Sequence, residues 1–226
     1  QKSTNFSLKD HLFNEDRVHY LARQFSAANP GFDETAFTRA VMQRLKRLEL
    51  KQRIVLIAET LEQFLADDFP LAAKQIFKAL PPELDPTKTD DDFGDFIIAP
   101  LGEFVVRRGI AAEHSTVSLR TLKEITKRFS MEDAVRQFIN AHPKKTLKEL
   151  AKWSTDRNYH VRRLVSESTR PRLPWSCRLL IDHTVPLPFL DQLHADSTRY
   201  VTRSVANHLN DIAKVDSKLV LDTLQR

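Results

Sequence analysis

Residues 147–165, LKELAKWSTDRNYHVRRLV, and residues 187–205, LPFLDQLHADSTRYVTRSV, keep one register when the chain is shifted by forty positions. Leu147 falls on Leu187, Leu150 on Leu190 and Trp153 on Leu193. Asp156 then falls on Asp196, Val161 on Val201, Arg163 on Arg203 and Val165 on Val205. Apolar residues at helical spacing, a turn acid, and a second apolar run describe two helices joined by a short turn. A two-helix unit of this length lies in the HEAT and armadillo range. One such unit cannot bury its apolar stripe alone, so neighbours must stack. The expectation is an all-α fold, a HEAT-like helical-repeat solenoid (an α-α superhelix) with a concave face. Residues 217–224 are predicted as the first helix of one further unit.

Composition agrees. The chain has 226 residues, 41% apolar and 29% charged, which describes a globular protein with a full core. Only 4 glycines argue against the many tight turns of an all-β fold, and 11 prolines must fall between helices or at their first turns. Upstream, one helix is predicted from Ser7-Leu8-Lys9-Asp10 through Phe13, Val18, Leu21 and Phe25 to the stop at Asn29-Pro30-Gly31. Asp33 is predicted to cap the next, with Phe37, Val41, Leu45 and Leu48 on one face. Further helices are predicted over residues 54–65, from Phe69-Pro70 to Leu80, over 97–108 and over 116–129. Residues 81–94, with Asp90-Asp91-Asp92, read as an exposed loop, and Gly31 and Gly94 as turns. The whole chain is expected to be a single HEAT-like repeat domain: N-terminal helices in 1–80, the loop at 81–94, and site-bearing repeats in 95–226.

The single Cys177 excludes an internal disulfide and any cysteine-based zinc site. The sequence holds no run of about 18 apolar residues and no signal-peptide pattern, so no membrane is expected and the cytoplasm is. A net charge of +5 and a pI near 9.3 are mild, so what matters is where the charge sits.

It sits in Trp153–Trp175, WSTDRNYHVRRLVSESTRPRLPW, which holds both tryptophans and Arg157, Arg162, Arg163, Arg170 and Arg172 around Asp156 and Glu167. In a predicted helix over 159–168, Arg163 and Glu167 stand at i,i+4. In another over 200–214, Arg203, Asn207 and Asp211 repeat that spacing, and the register sets Glu167 opposite Asn207. Read structurally, such spacing is a solvated face with intrahelical ion pairs, each worth a few tenths of a kcal/mol. Three features point to a site instead. Ser204, Asn207 and Asn210, all poor helix formers, share one helix. Arg170-Pro171-Arg172-Leu173-Pro174 forms a stiff connection that leaves two arginines free to clamp phosphates. Trp175 follows, where an indole can stack on a base or hold a cation, whereas the register assigns Trp153 to the core. Ser130-Met131-Glu132-Asp133 reads as a helix start with Ser130 as cap, and Arg136 follows Glu132 by four.

Val161–Trp175 (VRRLVSESTRPRLPW) and Ser204–Lys214 (SVANHLNDIAK) resemble the signature segments of bacterial DNA alkylation-repair glycosylases with HEAT-like repeats, of the AlkC branch rather than AlkD. Ser130–Ile139 (SMEDAVRQFI) resembles a third, looser segment. Ser168 stands where that pattern has Gly, and Gln137 where Pro is common. The resemblance implies an enzyme that cleaves the N-glycosidic bond of cationic alkylated bases, such as 3-methyladenine, in duplex DNA held in the concavity. It implies no metal and no organic cofactor, and a monomer acting on double-stranded DNA. Some members carry an extra immunoglobulin-like domain, and none is expected from these residues.

A cationic purine is already a good leaving group. The enzyme must stabilise an oxocarbenium-like sugar and position water, which carboxylates do. Under the resemblance the catalytic candidates are Glu167, Asp211 and Glu132. The DNA-binding candidates are Arg136, Arg162, Arg163, Arg170, Arg172, Trp175, Arg203 and Asn207. A HEAT-repeat module that binds DNA without catalysis, and a protein scaffold, are the competing function classes.

Overall fold

The structure is a computed structural model that describes residues 7–88 and 93–225; the Asp90-Asp91-Asp92 run lies outside them. The described residues are helical, with a single isolated bridge between Gly94 and Phe129 and no strand. None of their helices is long and apolar enough to cross a membrane. The chain divides into two compact units, Gln1–Pro82 with Gly94–Phe129, and Glu83–Phe93 with Ser130–Arg226.

The first unit holds α1 (Leu8–Leu12), α2 (Glu15–Ala28), α3 (Glu34–Leu45), α4 (Leu50–Phe64), α5 (Phe69–Ala79), α6 (Ala99–Gly109) and α7 (Ser115–Thr126). Phe25, Phe32, Phe37 and Phe64 form its aromatic centre, with ring centroids 5.2–5.6 Å apart. The single helix expected up to Asn29 is two helices. Asn14 ends one by donating to the Asp10 and His11 carbonyls and starts the next by accepting from Arg17 N–H. Arg53, buried on α4, secures the break by donating to the Lys9 and Phe13 carbonyls and to Asp10. α4 starts four residues earlier than predicted because Glu49 and Gln52 form a capping box. α7 stops at Thr126 rather than Phe129, whose backbone pairs with Gly94. Gly94 is more than a turn marker: its φ is +81°, and a Cβ there would lie 1.8 Å from the Arg128 carbonyl oxygen.

The second unit carries the repeats: α8 (Glu132–Ala141), α9 (Pro143–Trp153), α10 (Tyr159–Ser168), α11 (Leu187–Leu193), α12 (Arg199–Ala213) and α13 (Ser217–Leu224). The forty-residue register holds. α10 and α12 begin at equivalent positions, and Leu150, Leu190, Trp153, Leu193, Val161, Val201, Val165 and Val205 are all buried. The turn acids act alike: Asp156 accepts from Asn158 N–H (2.8 Å) and Asp196 from Thr198 N–H (2.9 Å). α10 packs against α8, α9, α11 and α12, and all its residues except Arg162 are buried. Ser130 is not the cap of α8. Met131 occupies that position without a side-chain cap, and the Ser130 hydroxyl accepts from Arg163 instead.

Two arginines tie this unit together. Arg162 reaches from α10 to Asp196 of the next repeat with Nε–Oδ2 at 2.5 Å and Nη2–Oδ1 at 3.0 Å, and donates to the Asp156 carbonyl at 2.8 Å. Arg136 is 1% exposed and donates to the carbonyls of Ser168, Arg170 and Cys177, at 3.2, 2.6 and 2.9 Å. It thereby pins the start of the long connection between α10 and α11.

Asp196 serves both as a turn acceptor and as the partner of Arg162, so Asp196→Ala is expected to destabilise the chain by about 2–3 kcal/mol. Asp196→Asn, which retains the turn acceptor, should lose less. Urea unfolding measures both. A loss for Asp196→Ala under about 0.5 kcal/mol, the range of a plain surface change, would show that the pair does not hold the repeats together.

Candidate active site

A helix buried on every side is usually apolar all round. α10 instead encloses Arg163, Ser166, Glu167 and Ser168. Polar groups so placed must find partners, and here they find charged ones. Glu167 Oε1 accepts from Arg170 Nη1 at 2.8 Å and lies 3.5 Å from Arg163 Nη2. Its Oε2 accepts from the Ser204 hydroxyl of α12 at 2.6 Å. Arg170 Nε donates to Asp211 Oδ2 at 2.9 Å, and Arg163 Nη1 lies 3.9 Å from Glu132 Oε1. The three candidate carboxylates thus belong to one alternating chain, Glu132–Arg163–Glu167–Arg170–Asp211.

Burial alone would raise the Glu167 pKa. The Arg163 charge, the Ser204 hydrogen bond and Arg170 outweigh it and hold the carboxyl below its ordinary value. Arg170 likewise is pulled down by burial, but its bonds to Asp211 and Glu167 leave it raised. Arg163 also lies over the Tyr200 ring, 4.5 Å from its centroid, with Phe93 at 5.5 Å. Burial pushes the Tyr200 hydroxyl well above its usual value, so it stays protonated, and it has no hydrogen-bond partner among the described residues. Glu132 Oε2 is enclosed and likewise without a hydrogen bond there.

Two cavities border this chain of charges. One of about 200 Å³ is lined by Phe93, Tyr200, Arg203, Ser204 and Asn207 together with Arg163 and Glu167. The other, about 920 Å³, is lined by Arg136, Arg170, Arg172, Arg178, Asp211 and Lys214 among others. Arg172 is exposed. Trp175 is 71% exposed and has φ +67°, a left-handed conformation that costs a non-glycine residue about 1–2 kcal/mol. Such strain persists at sites where the surroundings impose it.

The site candidates therefore separate. Glu167, Asp211, Glu132, Arg163 and Arg170 meet in one network. Arg203 and Asn207 share a cavity with Glu167. Arg172 and Trp175 stay on the connection, the first against the larger cavity. Arg170 is not free, because both neighbouring carboxylates hold it. Arg136 and Arg162 spend their guanidinium groups on carbonyls and on Asp196, which makes them clamps within the fold. Sequence reasoning missed Phe93, Tyr200 and the pairing role of Ser204. A signal existed for Tyr200, since the register sets it on His160, another ring at the same helical position.

No family model matches the chain. The structure superposes with a TM-score of 0.85 on Pseudomonas fluorescens alkylpurine DNA glycosylase AlkC bound to DNA containing an abasic site analog. The two are 33% identical over 98% of this chain and 60% of that one. Over nearly all its length the chain is similar to AlkC in sequence and in fold. It shares the all-helical repeat fold of AlkC, and the network lies in the unit whose segments carry the AlkC resemblance. Uncharacterized protein YhaZ of Bacillus subtilis (strain 168) is 32% identical over 213 residues, 92% of this chain. The chain spans 56% of the length of YhaZ.

His208 of α12 is fully buried, with Nδ1 3.1 Å from the Ser166 carbonyl, so the ring donates there. Burial above all lowers its pKa from 6.5 to about 4. Unfolding frees the imidazole to bind a proton below pH 6.5. Its contribution is therefore fully present above pH 6.5 and is lost as the pH falls toward 4, by up to roughly 3 kcal/mol. Unfolding free energies measured from pH 7.5 to 4.5 are expected to fall more steeply in the wild type than in His208→Gln. Equal slopes would contradict a buried neutral His208.

Proposed function

We propose that the chain is a DNA glycosylase that releases cationic alkylated bases, such as 3-methyladenine, from duplex DNA. The observation that carries this reading is the bridging of Glu167 and Asp211 by Arg170. The similarity to AlkC supports it independently.

A carboxyl held below its ordinary pKa is ionised at neutral pH and cannot act as a general acid. A neutral purine would need such an acid to leave, whereas an N3-alkylated purine carries its positive charge already. Fixed negative charge beside the reacting sugar favours the transition state, in which that charge moves from base to sugar. Both oxygens of Glu167 are engaged, which suits it to be a fixed charge rather than a proton acceptor. Asp211 Oδ2 is engaged by Arg170, while among the described residues Oδ1 has only Lys214 Nζ, at 3.7 Å. Asp211 is assigned the water. The C1′–N bond breaks with its electron pair passing to the base, water oxygen bonds to C1′, and Asp211 takes the water proton.

The remaining candidates take two roles. Arg172, Arg203, Asn207 and Trp175 are assigned to DNA, the arginines to phosphates and Trp175 to stacking on a base or on the cationic lesion. Arg136, Arg162, Arg163 and Arg170 act behind them by holding the connection, the repeats and the carboxylates. The protein works in this reading as a monomer, in the cytoplasm, on chromosomal DNA.

Glu167→Gln and Asp211→Asn are each expected to slow release of 3-methyladenine from methylated DNA by about 10²–10³-fold, with the fold intact by circular dichroism. Release at the wild-type rate by both variants would sink the assignment. Salt-sensitive duplex binding without any release by the wild type would leave a DNA-binding module in its place.

A further inference from the structure

Two buried hydroxyls meet at the centre of the second unit. Ser166 of α10 and Ser204 of α12 have their oxygens 3.0 Å apart, and Ser204 Oγ lies 2.6 Å from Glu167 Oε2. A carboxylate only accepts, so the one proton of Ser204 goes to Glu167, and the Ser166 hydroxyl donates to Ser204. Each donation in such a directed chain strengthens the next. The repeat register shows that this is no ordinary core position. Forty residues earlier it is occupied by Leu164, fully buried in α10. A serine there forgoes the apolar burial of leucine and brings a polar group that must be satisfied.

We propose that Ser204 is a positioning residue for the glycosylase reaction, its hydroxyl fixing Glu167 Oε2 and with it the orientation of the carboxylate toward the reacting sugar. This rests on the role assigned to Glu167 above. Oε1 is taken by Arg170 and Arg163, and Ser204 supplies the one hydrogen bond to Oε2 among the described residues. Without it the carboxylate could turn about its terminal bond while still touching a guanidinium. The groups facing Glu167 are Arg163 on its own helix, Arg170 on the connection, Glu132 of α8 through Arg163, and Tyr200, Arg203, His208 and Asp211 on α12. All carry charge or titrate. Ser204 does neither, so removing its hydroxyl leaves those groups in place. Its hydrogen bond is also one of the influences that offset burial and keep Glu167 below its ordinary pKa.

The test is a carbon-13 titration of the Glu167 carboxylate in the full chain, assigned by its loss in Glu167→Gln, alongside single-turnover release of 3-methyladenine. Ser204→Ala is expected to move the Glu167 midpoint upward and to slow release by about ten-fold, with the acid limb of the rate profile moving in step. Ser204→Thr should restore both. Ser168→Ala removes a buried hydroxyl of α10 that has no hydrogen-bond partner among the described residues, and should leave the midpoint unchanged. A Glu167 midpoint unmoved in Ser204→Ala, or a threonine that fails to restore what alanine loses, overturns the proposal. Absence of release by the wild type, with the Ser204-dependent shift still present, overturns it through the glycosylase reading while leaving the hydrogen bond proven.

Discussion

The Arg170 guanidinium lies between two buried carboxylates, and the arrangement of the second unit follows from keeping it there. With Arg163 it alternates positive groups between Glu132, Glu167 and Asp211. Without those cations Glu167 would be a buried charge with no charged partner, which desolvation penalises. A guanidinium does not lose its own proton in a protein, so the two cations of the alternation are fixed. Lys214 Nζ, 3.7 Å from Asp211 Oδ1, adds a third cation at the end of the network. Networks of this kind are poor stabilisers, since desolvation offsets their attraction, but losing one member strands the others. The enclosure of α10, the grip of Arg136 on the connection and the Arg162–Asp196 bridge all serve to bring these five side chains together.

Local patterning carried most of the fold. Apolar spacing and turn acids are properties of neighbouring residues, and they made the forty-residue repeat, the burial of Trp153 and the helix starts at Asp33 and Phe69 readable in the sequence. Boundaries were less readable where one side chain does two jobs. Asn14 both closes α1 and opens α2, and the Glu49–Gln52 box extends α4, so a run of helical spacing did not reveal the break or the start.

The candidate site's members could be picked out in the sequence, but not their partners. Glu167, Asp211 and Glu132, singled out in the sequence, meet in one network, and Glu167 and Asn207 line one cavity. What residue type cannot say is which partner a guanidinium chooses. Arg136, Arg162, Arg163 and Arg170 look alike in sequence, yet one meets carbonyls, one a turn acid and two the buried carboxylates. Arg170 and Arg172, two residues apart across a proline, end in a network and in the open respectively. Those choices are made by helices far apart in the chain. Phe93 was invisible for the same reason, because only the fold brings its ring to Arg163.

In the proposed reaction Glu167, held below its ordinary pKa, offers no proton, so substrate choice would follow from chemistry rather than from shape. The most direct measurement is single-turnover release, at about pH 7, of 3-methyladenine and of hypoxanthine from duplexes otherwise identical. Hypoxanthine is neutral and needs an acid to leave. The account predicts release of 3-methyladenine and no detectable release of hypoxanthine. Comparable rates for the two would contradict it, because the site would then have to supply the proton that its arginines are arranged to withhold.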